Sequence, residues 1–318
     1  MRAWLPLLLL TAVSGFCDDG AFNGRWNIRV LESNRGRMWW LEVDGAGTPT
    51  LSGSFVGAPG GDCDKIGDLA LRNGELSYSI ERKFHLKPGE PGVKAKGIYR
   101  ARLVQGQLEG TFVVEGSETP AVKWVGMRAP VITEKDDGTW REGQPIQLFN
   151  GKNLSGWTDT LGKKPAKWSV KNGVLMSEQG APNLLSVRKF WNFKVHMEYR
   201  VGVDGNSGLG LRNRYEVQLA DSFGHPVESH INGALYSRIA PSTNASKPAG
   251  EWQSVDARLI GRDVTVILNG VKIIDRQVII GPTAIVGDPY EDQPGPIFIQ
   301  GDHRPVEVRS VIVTPIMK

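Results

Sequence analysis

The strict alternation of apolar and polar residues over 193–201 constrains the fold more than any other feature of this sequence. Its odd-numbered positions are all apolar, and its even-numbered positions carry Lys194, His196, Glu198 and Arg200. Successive side chains of a strand point to opposite faces, so a period of two predicts a half-buried β-strand. The chain also has 39 Gly and 19 Pro in 318 residues, which leaves few stretches long enough for helices. We therefore predict an all-β fold.

Turn signals between apolar runs support the same fold class. Asparagine–glycine pairs, which favour two-residue hairpin turns, occur between apolar runs at positions 73–74, 172–173 and 269–270. Each pair predicts an antiparallel hairpin.

Three stretches of different composition divide the chain. Residues 20–128 contain short apolar segments separated by turns, and they predict a small antiparallel β-barrel or sandwich domain. Residues 129–145 are charged and lack apolar periodicity, which is typical of a linker. Residues 146–318 contain many further strand signals, which predict two packed antiparallel sheets, a sandwich or jelly roll.

The N-terminus is typical of an export signal. A positive charge at Arg2 precedes an apolar run from Ala3 to Val13, which is shorter than the roughly 20 residues that span a bilayer. Small residues follow at the positions that a signal peptidase reads. We therefore predict a signal peptide over residues 1–17 and a periplasmic or extracellular protein. No later segment stays apolar for long enough to predict a membrane span.

The charge pattern and the missing motifs exclude several classes of function. The chain has 38 basic and 34 acidic residues with no basic cluster, so no nucleic-acid partner is expected. Neither a phosphate-binding loop nor a dinucleotide fingerprint is present, so no cofactor is expected. Cys17 and Cys63 are too few for a disulfide framework or a zinc site. The spacing of His225, Glu228 and His230 matches no zinc motif, so no metal is predicted.

Two predicted strands carry charged and amide groups on their polar faces. The first presents Glu198 and Arg200, and the strand at 215–219 presents Glu216 and Gln218. If these strands are neighbours, the four groups line one groove, because cross-strand neighbours lie about 5 Å apart. A solvated face decorated with ion pairs of no function is the alternative. Polar loops that could complete a groove occur at 204–208, 244–252 and 300–304.

The second half of the chain resembles a known family in several segments. In chain order these segments are Leu148-Phe149-Asn150-Gly151-Lys152-Asn153-Leu154-Ser155-Gly156-Trp157, Gly205-Asn206-Ser207-Gly208-Leu209-Gly210-Leu211-Arg212, Tyr215-Glu216-Val217-Gln218, Asn244 to Trp252, Pro294 to Ile297, and Gln300 to His303. Together they make residues 146–318 resemble the 3-keto-disaccharide hydrolase domain family. The resemblance implies a concanavalin A-like jelly roll that acts on glycosides already oxidised to a ketone at sugar carbon 3.

This resemblance also implies roles for individual residues. A base removes the acidic proton at sugar carbon 2, and a cation or hydrogen-bond donor stabilises the enolate. Glu216 or His303 is the expected base, and Arg212 or Lys247 the expected enolate stabiliser. The expected substrate-binding residues are Glu198, Arg200, Asn206, Gln218, Asp221, Glu251 and Gln300.

Two other functions remain open at this stage. A non-catalytic carbohydrate-binding protein can use the same architecture, because a fold does not determine function. Conventional glycoside hydrolysis requires two opposed carboxylates about 5–9 Å apart, and Glu198 with Glu216 is the candidate pair. The enzyme hypothesis requires that Arg212, Glu216, Lys247 and Glu251 meet in one pocket.

Overall fold

The structure is a computed structural model that describes residues 18–31, 38–57, 61–87, 90–283 and 287–318. The predicted signal peptide and Cys17 lie outside these residues. The described chain is built from β-strands, with one short 3₁₀ helix at Asp19–Phe22, so the predicted all-β class is confirmed. Within these residues, no helix has the length and apolar character needed to cross a bilayer.

The first nine strands form one antiparallel sheet, called here the N-terminal sheet. They are β1 (Gly24–Val30), β2 (Met38–Asp44), β3 (Ser52–Val56), β4 (Cys63–Lys65), β5 (Ala70–Arg72), β6 (Glu75–Phe84), β7 (Val93–Val104), β8 (Gln107–Val114) and β9 (Val122–Arg128). Their order is β4-β3-β2-β1-β9-β8-β7-β6-β5. Aromatic side chains fill the core of this sheet, where Trp39 makes edge contacts with Phe55, Tyr99 and Phe112.

Fourteen further strands form two more sheets. They are β10 (Arg141–Glu142), β11 (Ile146–Gln147), β12 (Trp157–Asp159), β13 (Trp168–Lys171), β14 (Val174–Ser177), β15 (Leu184–Phe190), β16 (Phe193–Val201), β17 (Asn206–Leu211), β18 (Tyr215–Ala220), β19 (Gln253–Ile260), β20 (Asp263–Leu268), β21 (Val271–Val278), β22 (Gly295–Ile299) and β23 (Val306–Met317). The small sheet has the order β12-β15-β22-β17-β18. The large sheet has the order β13-β14-β23-β16-β19-β20-β21, and β10 and β11 pair with β23.

The small and large sheets pack face to face around one apolar core. Val195, Met197 and Tyr199 of β16 are buried together with Val217 and Leu219 of β18. The alternation that predicted these strands therefore buries their odd-numbered residues between the sheets and turns their even-numbered residues outward. The predicted fold, a two-sheet sandwich preceded by a small antiparallel β-barrel or sandwich domain, is confirmed as all-β, and the nine strands of the first domain form a single antiparallel sheet.

The three hairpins predicted from the asparagine–glycine pairs at 73–74, 172–173 and 269–270 all form. They connect β5 to β6, β13 to β14 and β20 to β21, and the asparagines have φ angles of 51°, 52° and 51°. The domain boundaries at 20–128, 129–145 and 146–318 stay a prediction. Strand pairing follows them except that β10, at the end of the predicted linker, pairs with the final strand.

Candidate functional site

Three strands of the small sheet bring polar groups together on its outer face. In β17 and β18, Gly208 lies opposite Gln218 and Gly210 lies opposite Glu216. On the far side of β17, Gly210 lies opposite Phe298 of β22. These residues alternate with core residues along their strands, so they point away from the core of the sandwich. Because Gly208 and Gly210 have no side chains, the side chains of Glu216 and Phe298 can lie over their α-carbons on the outer face of the sheet.

Glu216 is the buried charge-bearing group of this face. Its residue is 4% exposed, and no hydrogen bond or ion pair within the described part of the chain reaches its carboxyl oxygens. Burial raises the pKa of Glu216 from 4.5 to about 8; nearby His303 lowers this pKa and Asp302 raises it. A carboxyl group with a pKa near neutrality can both accept and return a proton at working pH.

The neighbouring His303 is held by Asp302. The imidazole Nδ1 lies 2.8 Å from Asp302 Oδ1, and this hydrogen bond is the main cause that raises the pKa of His303 above 6.5. The backbone N–H groups of Gly301 and Asp302 donate to Asn183 Oδ1 at 2.9 and 3.3 Å. Asn183 therefore fixes the loop that carries the pair. Glu216 also raises the pKa of His303, so the charge of the one group favours the opposite charge on the other.

Three amide side chains share this region with Glu216. Gln218 donates from Nε2 to Asn206 Oδ1 at 3.5 Å, and the backbone N–H of Gln300 donates to the Gly208 carbonyl at 2.9 Å. The side-chain oxygens of Gln218 and Gln300 are buried without a hydrogen-bond partner among the described residues. Buried polar atoms are normally satisfied, so unpartnered acceptors point to a ligand that supplies donors. Sugar hydroxyls are such donors. We call Glu216, His303, Asp302, Asn206, Gln218 and Gln300 the Glu216 cluster.

Arg212 does not join this cluster, contrary to the expectation from the sequence. It begins the turn between β17 and β18 with a φ of 55°, and its fully buried guanidinium stacks 3.7 Å from the Trp191 ring. Its donors are used by the carbonyls of Trp191 and Gly261 at 2.7 and 2.9 Å and by Asn192 Oδ1 at 3.1 Å. Burial lowers the pKa of Arg212 to about 10. Arg212 therefore connects the β15–β16 turn with the β19–β20 turn and takes no part in the site.

The expectation that Glu198 and Arg200 share a groove with Glu216 is corrected by the sheet order. Their strand, β16, lies in the large sheet, whereas β18 lies in the small sheet, so the polar faces of these strands point in opposite directions. Glu198 accepts from Arg309 Nε at 2.9 Å, and Arg200 donates to Glu307 at 2.8 Å. Both residues form ion pairs on the outer face of the large sheet, as the alternative interpretation of a solvated face predicts.

The remaining predicted residues lie on loops apart from Glu216. Lys247 donates from Nζ to the Trp252 carbonyl at 3.1 Å, and Glu251 is exposed in the same loop. Asp221, just beyond β18, accepts from the backbone N–H of Asp204 at 3.2 Å. The sequence-based enzyme hypothesis required Arg212, Glu216, Lys247 and Glu251 to meet in one pocket. They do not, so the hypothesis is wrong in that form. The structure instead brings together Glu216, His303, Asn206, Gln218 and Gln300 from the predicted set.

The sequence patterns do not indicate two further candidate site residues, Asp302 and Tyr236. Asp302 lies inside a matched segment beside His303, so adjacency was the available signal. Tyr236 donates from its backbone N–H to the Glu216 carbonyl at 3.0 Å, across a loop whose course no local pattern indicates. Within the residues that the structure describes, no group of three His, Cys, Asp or Glu side chains is arranged to hold a metal ion.

Comparison with known proteins finds similarity in the second half of the chain. Residues 144–314, more than half of the sequence, match the family described as the 3-keto-alpha-glucoside-1,2-lyase-like domain. A curated relative, 3-keto-disaccharide hydrolase of Bacteroides thetaiotaomicron, is 27% identical in an alignment 144 residues long, and the match covers 34% of this chain and 49% of that protein. The chain therefore spans about half the length of the curated relative that it matches.

Solved structures of two Parabacteroides distasonis proteins, each proposed to be a glycosyl hydrolase, are also similar. The first is 29% identical with a TM-score of 0.47, covering 58% of this chain and 90% of that one. The second is 22% identical with a TM-score of 0.44, covering 53% and 92%. From its matched residues, this chain belongs to the 3-keto-alpha-glucoside-1,2-lyase-like domain family.

Proposed function

We propose that this protein cleaves 3-keto-glycosides, such as 3-keto-disaccharides, by elimination and hydration that together amount to hydrolysis. One observation carries the proposal. The buried Glu216 carboxyl has no partner among the described residues, has a pKa of about 8, and lies beside the His303–Asp302 pair. Family membership supplies the substrate class, because the matched curated relative is named a 3-keto-disaccharide hydrolase.

In the first step of the proposed reaction, the Glu216 carboxylate removes the proton from sugar carbon 2. The C3 ketone makes this proton acidic, because the electron pair left behind delocalises onto the carbonyl oxygen as an enolate. A base is most effective when its pKa lies near the working pH, which burial arranges for Glu216.

In the second step, the enolate reforms the C3 carbonyl, a C1–C2 double bond forms, and the C1–O bond to the leaving group breaks. Protonated His303 supplies the proton that the leaving oxygen needs, since Asp302 favours the charged imidazole. Water then adds its hydroxyl group to C1 and gives its remaining proton to neutral His303, while Glu216 returns its proton to C2. The products are the 3-keto sugar and the free alcohol, and both side chains regain their starting protonation states.

Stabilisation of the enolate is assigned to hydrogen-bond donors rather than to Arg212 or Lys247. Both cations are occupied elsewhere, Arg212 by backbone carbonyls and Lys247 by the Trp252 carbonyl. The side-chain amide groups of Gln218 and Gln300 provide donors beside Glu216, whereas the N–H of His303 that does not bond Asp302 is assigned to the leaving oxygen. Fixed donors in a site with little water stabilise developing negative charge without reorganising.

The order of the strands in the two sheets argues against conventional glycoside hydrolysis by Glu198 and Glu216. That mechanism needs two carboxylates on either side of one glycosidic bond. Glu198 and Glu216 lie on different sheets of the sandwich, so they do not form such a pair. A carbohydrate-binding protein without activity remains an outcome of the experiment below.

The experiment compares a 3-keto-disaccharide with its unoxidised parent disaccharide and follows the release of free sugar. Cleavage of the keto form alone, with deuterium from heavy water appearing at C2, is the expected result. Cleavage of both sugars would replace elimination by conventional hydrolysis. Cleavage of neither, with binding retained, would make the protein a carbohydrate-binding module.

We also propose that the protein is exported, with residues 1–17 removed as a signal peptide. The basic residue and the short apolar run at the N-terminus support this proposal. N-terminal sequencing of the protein purified from its source is expected to begin near residue 18. A mature protein that starts at Met1 would contradict the proposal.

A further inference from the structure

A segment beyond β18 extends the small sheet next to Glu216. Leu235 forms an isolated antiparallel bridge with Val217, and the Tyr236 backbone N–H donates to the Glu216 carbonyl at 3.0 Å. The strand order places this segment on one side of β18 and β22, the strand that leads to His303, on the other. Tyr236 and His303 therefore flank Glu216 from opposite sides.

The N-terminal sheet holds this segment directly. Asp62 Oδ1 lies 2.8 Å from His230 Nε2, and the backbone N–H of Cys63 donates to Ser237 Oγ at 2.8 Å. The guanidinium group of Arg238 lies over the Trp40 ring, 4.5 Å from its centre. The family match begins at residue 144, so these contacts come from a part of the chain outside the matched domain.

Tyr236 lies between the Asp62–His230 contact on one side and Glu216 on the other. Its ring meets the His230 ring edge-on, with centres 4.9 Å apart, and His230 in turn contacts Asp62. Burial raises the pKa of Tyr236 to about 12, and the charges of Asp62 and Glu216 both add to the increase. A chain of neighbours therefore runs from the N-terminal sheet to the proposed base.

We propose that the N-terminal sheet forms one wall of the substrate site, and that Asp62 and Tyr236 bind the leaving sugar unit. This inference rests on the proposed function. With the oxidised ring between Glu216 and His303, the side of Glu216 away from His303 is occupied by Tyr236 and then Asp62. An aromatic ring packs against the apolar face of a sugar, and a half-exposed carboxylate accepts hydrogen bonds from hydroxyls.

The test measures binding to Glu216→Gln, which removes the base and so prevents turnover. Its two ligands are a glucose disaccharide oxidised at C3 of its non-reducing unit, and methyl 3-keto-glucoside, whose leaving group is only methanol. Adding Asp62→Ala is expected to weaken binding of the disaccharide about tenfold, the effect of losing a hydrogen bond to a charged group. Binding of the methyl glycoside is expected to change less than about twofold, because it does not reach the wall.

Two further variants separate recognition from folding. Glu75→Ala removes another acid of the N-terminal sheet, one that pairs with Arg102 away from the Glu216 cluster, and it is expected to change neither affinity. Asp62→Asn retains a hydrogen-bond acceptor, and it is expected to restore part of the disaccharide affinity. Thermal unfolding of each variant identifies any loss of structure.

The outcomes are distinct from those of the cleavage assay. If Asp62→Ala lowers the affinity for both ligands equally, or for neither, the proposal that Asp62 binds the leaving sugar unit is wrong. This holds even if the wild-type protein cleaves 3-keto-disaccharides. If only the disaccharide affinity falls and the wild-type protein cleaves neither sugar, the N-terminal sheet binds the second sugar unit but the proposed reaction is wrong. Failure of Glu216→Gln to bind either ligand would overturn the inference.

Discussion

The carboxyl group of Glu216 lies against the bare α-carbon of Gly208 on the neighbouring strand. A methyl group at that α-carbon would lie 2.1 Å from Glu216 Oε1 and 2.8 Å from its Cδ. Contacts under about 3 Å between such atoms do not occur, so any larger residue at position 208 must displace the carboxyl group. The position of the proposed base therefore depends on the absence of a side chain at Gly208 in β17, the strand between β18 and the strand that leads to His303.

Gly208→Ala is expected to displace Glu216 and lower kcat by about a hundredfold, since misplacement of a reacting group by 1 Å has an effect of that size. Gly202→Ala is the matched control, because a methyl group there meets nothing within 4 Å and its φ is not in the left-handed region. The two proteins are compared by steady-state kinetics on a 3-keto-disaccharide. Equal activities would show that the contact between Gly208 and Glu216 does not matter for the reaction.

Glu216→Gln is expected to lower kcat by roughly 10²–10⁴, the usual contribution of a general base. The fold is expected to persist, because a neutral amide is at least as easy to bury as a carboxyl group. Activity and thermal unfolding are measured on the same preparations, with Glu115→Gln on an exposed turn as the control. A fully active Glu216→Gln protein would remove this residue from the role of base.

The pH dependence of stability offers a separate test of Glu216. Its pKa is raised from 4.5 to about 8 on folding, so between these values the folded protein keeps a proton that the unfolded chain has lost. The free energy of unfolding, taken relative to Glu216→Gln, is therefore expected to fall as pH rises through this window. The slope is at most about 1.4 kcal/mol per pH unit.

Urea unfolding of both proteins between pH 4.5 and 8 measures this difference. Below pH 4.5 the carboxyl is neutral in both states, and above about 8 it is ionised in both, so the difference should be constant outside the window. Parallel curves within it would mean that Glu216 ionises as freely in the folded protein as in the unfolded chain.

Asp302→Asn is expected to move the alkaline limb of the pH–rate profile to lower pH. The Asp302 hydrogen bond is the main cause that raises the pKa of His303, so its loss leaves less of the protonated imidazole. Asp68→Asn, which changes an aspartate bonded to Ser79 in the N-terminal sheet, is the control. An unchanged profile in Asp302→Asn would exclude His303 as the acid.

Arg212→Ala is expected to destabilise the protein by about 3 kcal/mol or more, because it leaves buried hydrogen-bond acceptors unpaired. Those acceptors are the Trp191 and Gly261 carbonyls and Asn192 Oδ1. Arg309→Ala removes a half-exposed partner of Glu198 and is expected to cost less than about 1 kcal/mol. Urea unfolding compares the two. A stable Arg212→Ala protein with lost activity would restore Arg212 to the site.

The strands were predictable because their information is local. Alternation in β16 and asparagine–glycine pairs at three hairpins indicate where strands lie and where they turn, and each signal depends on neighbours in the chain. The same alternation also told which residues of β16 point away from the core. Alternation carries no information on which sheet a strand joins, so it does not distinguish a shared groove for Glu198, Arg200 and Glu216 from a solvated face with ion pairs.

Only part of the site was predictable from the sequence. The family motifs indicate which segments contribute to the site, but they do not indicate where each side chain points. Glu216 and Gln218 were found with His303 in matched segments, and all three lie in the Glu216 cluster. Arg212 lies in a matched segment too, but a left-handed turn directs it beneath Trp191. The pairing of Asp62 with His230 joins residues far apart in sequence, and no local pattern encodes it.

By itself the sequence determined the all-β class, the hairpins and the family, and it marked Glu216 and His303 as the two candidate bases. Each of these depends on residue types at short separations, through strand periodicity, turn geometry and motif spacing. Only the tertiary structure decided that Glu216 is buried against Gly208, that His303 and Asp302 approach it, and that the N-terminal sheet reaches Tyr236. Such relationships depend on strand order and burial, because the energy of a charged group is set by what surrounds it in space.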